Sequence, residues 1–316
     1  MTDTTAPAPN AAMDDHWNGR AGDTWVELGG LLDRQLHALG LEAQDALDLQ
    51  PGERVLDIGC GGGETSIDLA RAVSPGGAVL GVDISRTLLQ QVAEPRVAAL
   101  GLDIRFQVAD AQTSDFGGER FDAVFSRFGV MFFSDPTAAF ANILKALKPG
   151  ARLAFVCWRG PSENPHMTAP FKAAEHLLPP LPPSDPLAPG PFAFADPERV
   201  RRILAEAGFG AIAIRPYDAQ VGGWSLEDGM VIAQRMGPLD AVLRQNPDQR
   251  PQVLDAVATD LRRRMGADGK VRTNAAVWIV TATVLAAGLE RVSLDDIARQ
   301  GQSSPRHSQH GAHHHG

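Results

Sequence analysis

The residues with the clearest chemical potential form the run Asp57-Ile58-Gly59-Cys60-Gly61-Gly62-Gly63, set between the apolar stretch VLDIG and the helix-like ETSIDLARA. Positions without a Cβ let a backbone turn sharply and let a ligand lie against it. The loop then delivers the chain to a helix N-terminus, where free N–H groups can meet an anionic group. A dinucleotide-binding fingerprint also places glycines after the first strand of a doubly wound sheet. Two details weigh against it: the glycines fall at 59, 61, 62 and 63, and Asp57 stands two residues before the first of them. A carboxylate there organises an ammonium, directly or through water, and repels a pyrophosphate. The ligand this loop suits is a nucleoside with an amino-acid tail.

Two further acids follow at the ends of consecutive strand-like runs. Asp83 closes VLGVD, where a carboxylate can accept from both ribose hydroxyls; the competing reading is a cap for the helix that starts near Ser85. Asp110 closes IRFQVAD and can accept from an adenine amino group, while Ile84 and Ala111 sandwich the base. The next run ends in Ser126-Arg127-Phe128, next to the switch point where ligands bind in open α/β sheets. Arg127 reads equally as a guide for an acceptor carboxylate or phenolate and as the partner of a nearby acid.

These residues need a sheet to hold them, and the text supplies one. Short continuous apolar runs at 55–59, 79–84, 104–110, 121–129 and 151–158 alternate with helical stretches at 65–73, 85–100 and 136–147. Strands of that kind are buried on both faces, which predicts an α/β fold with a parallel, doubly wound sheet. Residues 1–15 are small and polar and read as a disordered tail; 16–50 read as a helical N-terminal cap. The core is expected over 51–160, a Pro-rich lid loop over 161–195, and the rest of the sheet over 196–284. Within that last span Asp196, Pro197 and Gly208 bracket a helix, 211–220 and 274–284 read as strands, and 225–266 as a helical insert. Residues 285–316 read as a tail with a His-rich end, taken as a floppy remnant and not a metal site.

The motifs VLDIGCGGGETS, Asp83, Asp110, FDAVFSRFGVMFFSDP and LKPGARLAFVCW resemble those of class I S-adenosylmethionine-dependent methyltransferases, in particular the ubiquinone- and menaquinone-biosynthesis-like small-molecule branch. The resemblance implies S-adenosylmethionine as cofactor, held by Asp57, Gly59, Gly61, Asp83, Ile84, Asp110, Ala111 and Ser126. It also implies a seven-stranded Rossmann-like sheet of order 3-2-1-4-5-7-6 with an antiparallel final strand. The Asn-Pro-Pro-Tyr type of sequence carried by many amino-methylating enzymes is replaced by SRFG, which favours a small-molecule acceptor.

Methyl transfer from a sulfonium is an in-line displacement, so positioning and exclusion of water dominate. A phenol or carbon acid also needs a base. Glu163 and His166, after the fifth strand, are the candidates, with a lid-structural role the simpler account of the histidine. Trp17, Trp25, Arg127, Phe128, Met131 and Trp158 are expected to line the acceptor pocket. Lys and Arg total 29 against 38 Asp and Glu, a formal charge of -9, and the basic residues are unclustered apart from Arg262–Arg264; no nucleic-acid surface is expected. The two cysteines, the lack of a long apolar run and the N-terminal composition suit a cytoplasmic protein with no membrane partner. Self-association is left open. The alternative functions are a donor-binding protein of the same fold that transfers no methyl group, and a nicotinamide-dependent dehydrogenase.

Overall fold

The computed structural model describes residues 8–116 and 118–285. Two helices, α1 (Ala11–Asn18) and α2 (Arg20–Asp45), precede the alternating core. The core runs β1 (Arg54–Ile58), α3 (Glu64–Ala72), β2 (Ala78–Asp83), α4 (Arg86–Leu88), α5 (Glu94–Val97), β3 (Ile104–Val108), β4 (Phe121–Arg127), α6 (Pro136–Lys145) and β5 (Leu147–Trp158). Then come α7 (Pro165–Ala174), α8 (Pro197–Ala207), β6 (Phe209–Trp224), α9 (Leu226–Arg235), α10 (Pro238–Gln245), α11 (Arg250–Arg263) and β7 (Val271–Val284). The strands form one sheet of order β3-β2-β1-β4-β5-β7-β6, parallel except for β7. This is the Rossmann-like order that the motifs implied.

The helices cover both faces because the central strands are apolar on both. On one face α2 presents Leu28, Leu32, Leu36, Leu39 and Ala43, a stripe at helical spacing that is buried along its length. On the other, Phe140 of α6 packs between Phe155 of β5, Phe194 and Phe209. Helix α8 begins and ends where its residues dictate: the Asp196 side chain accepts from the Glu198 amide, Pro197 opens the first turn, and Gly208 closes it at φ 106°.

Four expectations change. Helix α1 begins at Ala11, within the stretch read as tail, because its asparagines find partners on the sheet edge that composition does not reveal. Asn18 donates to the Ile84 carbonyl and accepts from the Arg86 amide, and the Ser85 hydroxyl donates to the Trp17 carbonyl. The single helix expected at 85–100 is broken by a wide turn at Leu89–Ala93, since Pro95 removes an amide and its ring crowds the carbonyl four residues back. The Pro-rich segment is not wholly a lid: Ala193 and Phe194 at its end are core. Strands β6 and β7 are longer than expected and carry the insert between them beyond the sheet edge. Residues 1–7 and the His-rich end lie outside the described residues.

The insert has its own core. Leu239, Leu243, Val253, Val257 and Leu261 from α10 and α11 pack with Ala174, Ala233 and the first residue of β7. Burial of that size holds α7, α9, α10 and α11 as one body over the carboxyl ends of β5 and β6 and the amino end of β7. No described helix is long and apolar enough to cross a membrane.

The attachment of α1 is open to test. Asn18→Ala removes both hydrogen bonds from the α1 end to the turn after β2, and the two to Asp14 within the helix, so amide exchange over Ala11–Asn18 should rise by about tenfold while β1, β4 and β5 exchange unchanged. Hydrogen-exchange mass spectrometry reads both; equal protection in the variant means that packing alone seats the helix.

Candidate active site at the carboxyl edge of the sheet

The strand order reverses between β1 and β4, so the loops that leave these neighbours run apart. At that point Gly59, at φ 69°, and Gly129 meet backbone to backbone: a Cβ on Gly59 would lie 2.9 Å from the Gly129 Cα, and one on Gly129 would lie 2.9 Å from the Ile58 carbonyl oxygen. Neither position admits a side chain. Gly61, at φ 51°, has nothing within 4 Å of where its Cβ would stand. The loop is thus packed on its strand side and open at Gly61.

Asp57 lies beneath the loop with no exposed surface. One carboxylate oxygen accepts from the hydroxyls of Thr65 (2.6 Å) and Ser66 (2.7 Å), while the other has no partner. Burial pushes the pKa up to about 6; the two hydroxyls and the Arg127 guanidinium oppose this, and Asp83 adds to it. A buried acceptor oxygen without a donor is expensive unless a ligand group or a water meets it.

Asp83 at the end of β2 ties the loop to the next turn, its two oxygens accepting the amides of Gly61 and Ser85, each at 2.8 Å. The carboxyl is hemmed in by protein and burial raises its pKa, with those amides opposing. Ser85 itself caps α4, accepting from the Leu88 amide, so the capping role belongs to the serine. After β3, one Asp110 oxygen accepts from the Gln112 amide (2.9 Å) and from the Asn10 side chain (3.1 Å). Helix α1 therefore stands on the ends of β2 and β3, touching the positions expected to hold ribose and adenine. Ile84 is half-buried and gives its carbonyl to Asn18; Ala111 is buried and gives its carbonyl to Asn142.

Other expected residues have different occupations. The Ser126 hydroxyl donates to the Ile58 carbonyl and accepts from the Gly129 amide, clamping β4 to β1. Arg127 is paired with Asp33 of α2 (2.9 Å) and Glu64 of α3, with only 9% of its side chain exposed. Helix α2 passes so close that a Cβ on Gly40 would lie 2.8 Å from the Arg127 side chain. Of the two readings of Arg127, the acid partner is what the structure shows. Met131, expected in the pocket wall, is core at 1% exposure, because the short helical turn after β4 points it into the sheet.

The aromatic residues divide into two groups. Trp17 meets Phe132 (5.2 Å) and Trp25 (6.2 Å) edge to face, which closes α1 against α2 and the turn after β4. Phe128 holds a left-handed backbone at φ 60°, an uncommon state for a bulky residue and one that gathers at ligand sites. Its ring stacks on Trp158 at 4.0 Å, and Trp158 in turn meets His166 of α7 at 4.7 Å. Glu163 is not brought to this group; its carboxylate goes to Arg159, which also pairs with Asp218. His166 keeps both ring nitrogens shielded with no hydrogen bond of normal geometry, and burial lowers its pKa to about 4, opposed by a hydrogen-bonding contribution from the Asn274 backbone. Among the described residues no cluster of His, Cys, Asp and Glu is fit to hold a metal ion.

Sequence reasoning missed Asn10, Asn18, Asp33, Glu64 and Gly129. Thr65 and Ser66 were in plain view after the glycines, a hydroxyl pair one helical turn from the loop; the others carry no local signal.

Residues 55–150 match the family model described as a methyltransferase domain. The chain carries that domain. An uncharacterized protein of Mycobacterium tuberculosis is 35% identical over 113 residues, which cover 36% of this chain and 40% of that protein. Phosphoethanolamine N-methyltransferase 1 of Triticum aestivum is 33% identical over 132 residues, 42% of this chain and 25% of the relative. The chain thus spans well under half the length of these curated relatives. Phosphoethanolamine N-methyltransferase 2 of Haemonchus contortus, solved with phosphomonomethylethanolamine and S-adenosylhomocysteine, shares the fold at a TM-score of 0.53 and 17% identity, covering 89% of this chain and 61% of that one.

The raised pKa of Asp57 has a signed consequence. The folded state holds its proton up to about pH 6 while the unfolded state releases it near 3.8, so this group's contribution to stability is present below 3.8 and is lost as pH rises through 6. At pH 8 the charged, buried carboxylate therefore costs about 3 kcal/mol. Asp57→Asn removes that dependence, and its melting temperature relative to wild type should climb between pH 4 and pH 7.5 in thermal melts. A constant offset across that range would mean that Asp57 titrates normally.

Proposed function

We propose that the chain transfers the methyl group of S-adenosylmethionine to a small, moderately apolar organic acceptor beneath the helical insert. The observation that carries this reading is the unpartnered, fully buried oxygen of Asp57 under an open glycine loop, with Asp83 and Asp110 at the ends of the next two strands. Those residues fit the donor: a carboxylate short of one hydrogen bond suits an ammonium, directly or through one water; Asp83 suits a ribose diol; and Asp110 suits an adenine amino group.

S-adenosylmethionine supplies an electrophilic methyl carbon on a sulfonium. The protein's part is to orient and to keep water out. Gly59 and Gly129 set the floor of the crevice, and Ser126 locks the β1 and β4 ends that form it. The Arg127 guanidinium favours the charged form of Asp57 while binding α2 and α3 to the same floor. Helix α1 and the Trp17–Phe132–Trp25 cluster close the nucleoside end; Phe128 and Trp158 form the wall on the acceptor side. His166 is the ionisable group on that side; burial holds its pKa at about 4, which makes it a weak base, so its part is to pack and hydrogen-bond and not to remove a proton from a phenol or carbon acid.

Calorimetry with S-adenosylhomocysteine tests the donor half. Wild type should bind, and Asp83→Ala should bind about 10- to 100-fold more weakly with its fold intact by circular dichroism. A donor-dependent screen of metabolite extracts by mass spectrometry, reading a gain of one methyl group, tests the rest. Methyl transfer confined to an RNA or protein pool would sink the small-molecule reading, and binding without transfer to anything would leave a donor-binding protein of this fold.

A further inference from the structure

Asn10 stands just before α1 in a left-handed backbone, φ 63° and ψ 10°, a state that asparagine adopts more readily than most residues. An asparagine at that position ordinarily spends its side chain on the first amides of its own helix. This one does not. Its carboxamide nitrogen donates to one Asp110 oxygen (3.1 Å), and its carboxamide oxygen accepts the Ser134 amide (2.7 Å), so it joins the loop after β3 to the turn after β4. Only 8% of the residue is exposed.

These bonds bear on what Asp110 can do. The oxygen that takes Asn10 also takes the Gln112 amide (2.9 Å), and among the described residues nothing donates to the other. Gln112 is tied down in turn, its side-chain oxygen accepting from the Ser134 hydroxyl (3.2 Å) and the Asp135 amide (3.1 Å). Asp110 is thus held on one oxygen by a closed set of bonds among Asn10, Gln112 and Ser134, and its second oxygen is left as an acceptor. Asp83 pairs with Val108 in the sheet and its carbonyl accepts the Ala109 amide (2.9 Å), which keeps the two acids on neighbouring strand ends.

We propose that Asn10 is a positioning residue for the donor: it fixes Asp110 so that the second oxygen accepts the adenine amino group, and the chain thereby selects adenine over purines with no donor there. The inference rests on the donor-binding reading above and adds the residue that gives it base selectivity. A carboxyl held in one orientation before binding loses little freedom when it accepts, so more of the bond appears as affinity. Bonds to a carboxylate are also stronger than those between neutral groups, and fixing one oxygen makes the other worth more to a ligand. Without Asn10 the Gln112 amide alone restrains Asp110, and the amino group meets an acceptor that can turn away.

The test is calorimetry on the full chain with two ligands, S-adenosylhomocysteine and its analogue with hydrogen in place of the adenine amino group. Wild type should prefer the amino compound by at least about tenfold. Asn10→Ala should cut that preference to about threefold or less, with affinity for the analogue within about twofold of wild type. Asn10→Asp keeps the shape and can still accept the Ser134 amide, yet as a carboxylate it has no hydrogen to give Asp110; it should lose the preference too, and it serves if Asn10→Ala fails to fold. An unchanged preference overturns the proposal, whether both ligands weaken together, which means that Asn10 only seats α1, or neither does. Tighter binding of S-adenosylhomocysteine to Asn10→Ala overturns it as well, since Asn10 would then occupy the place of the amino group. Failure of the donor reading looks different: wild type that binds neither ligand discards both, whereas wild type that binds the two alike keeps the donor and discards the selection of its base.

Discussion

Two glycines in contact govern this molecule. Gly59 and Gly129 lie Cα against Cα at the point where the strand order reverses, and the crevice exists because the loops after β1 and β4 part from that contact. A methyl group on either residue would push the loops apart, disturb the Ser126 clamp and shift the strand ends that carry Asp57, Asp83 and Phe128. The glycine loop is open to a ligand at Gly61 and crowded everywhere else. Such a loop is a rigid seat for a ligand, a better basis for in-line transfer than a flexible flap.

Charge is arranged around the same point at some cost to stability. Asp57 is buried where a neutral residue would be cheaper, and what holds it is a pair of hydroxyls and a guanidinium that is itself engaged with Asp33 and Glu64. Arg96 joins Asp33 from the far side, so cation and anion alternate from α5 through α2 to β4 and α3. Buried pairs of this kind are poor stabilisers against an apolar alternative but strict about geometry, because loss of one partner strands the other. In this chain the network fixes α2, and with it the N-terminal helices, to the floor of the crevice.

The insert follows another principle. It has a separate core and reaches the sheet through extended β6 and β7, so its position depends on how far two strands run past their neighbours. Between that body and the sheet lie the shielded ring of His166 and a space of about 40 Å³, little more than one water needs.

By itself the sequence determined what is local or periodic. Apolar runs and their alternation with helical stretches specified the sheet, the spacing of Asp57, the glycines, Asp83 and Asp110 marked the strand ends and loop that form the crevice, and Asp196, Pro197 and Gly208 set a helix end to end, because each depends on neighbours a few residues away. Tertiary structure decided what depends on partners far along the chain. Asn10 reaches Asp110 across 100 positions and Arg127 reaches Asp33 across 94, so neither the ordering of α1 nor the engagement of Arg127 was legible. The same holds for Glu163, which follows Arg159 away from the site, and for His166, whose unmet nitrogens arise only when the insert folds over β6 and β7. A composition rule that favours disorder in a small, polar stretch cannot register that two asparagines find hydrogen-bond partners on a sheet edge.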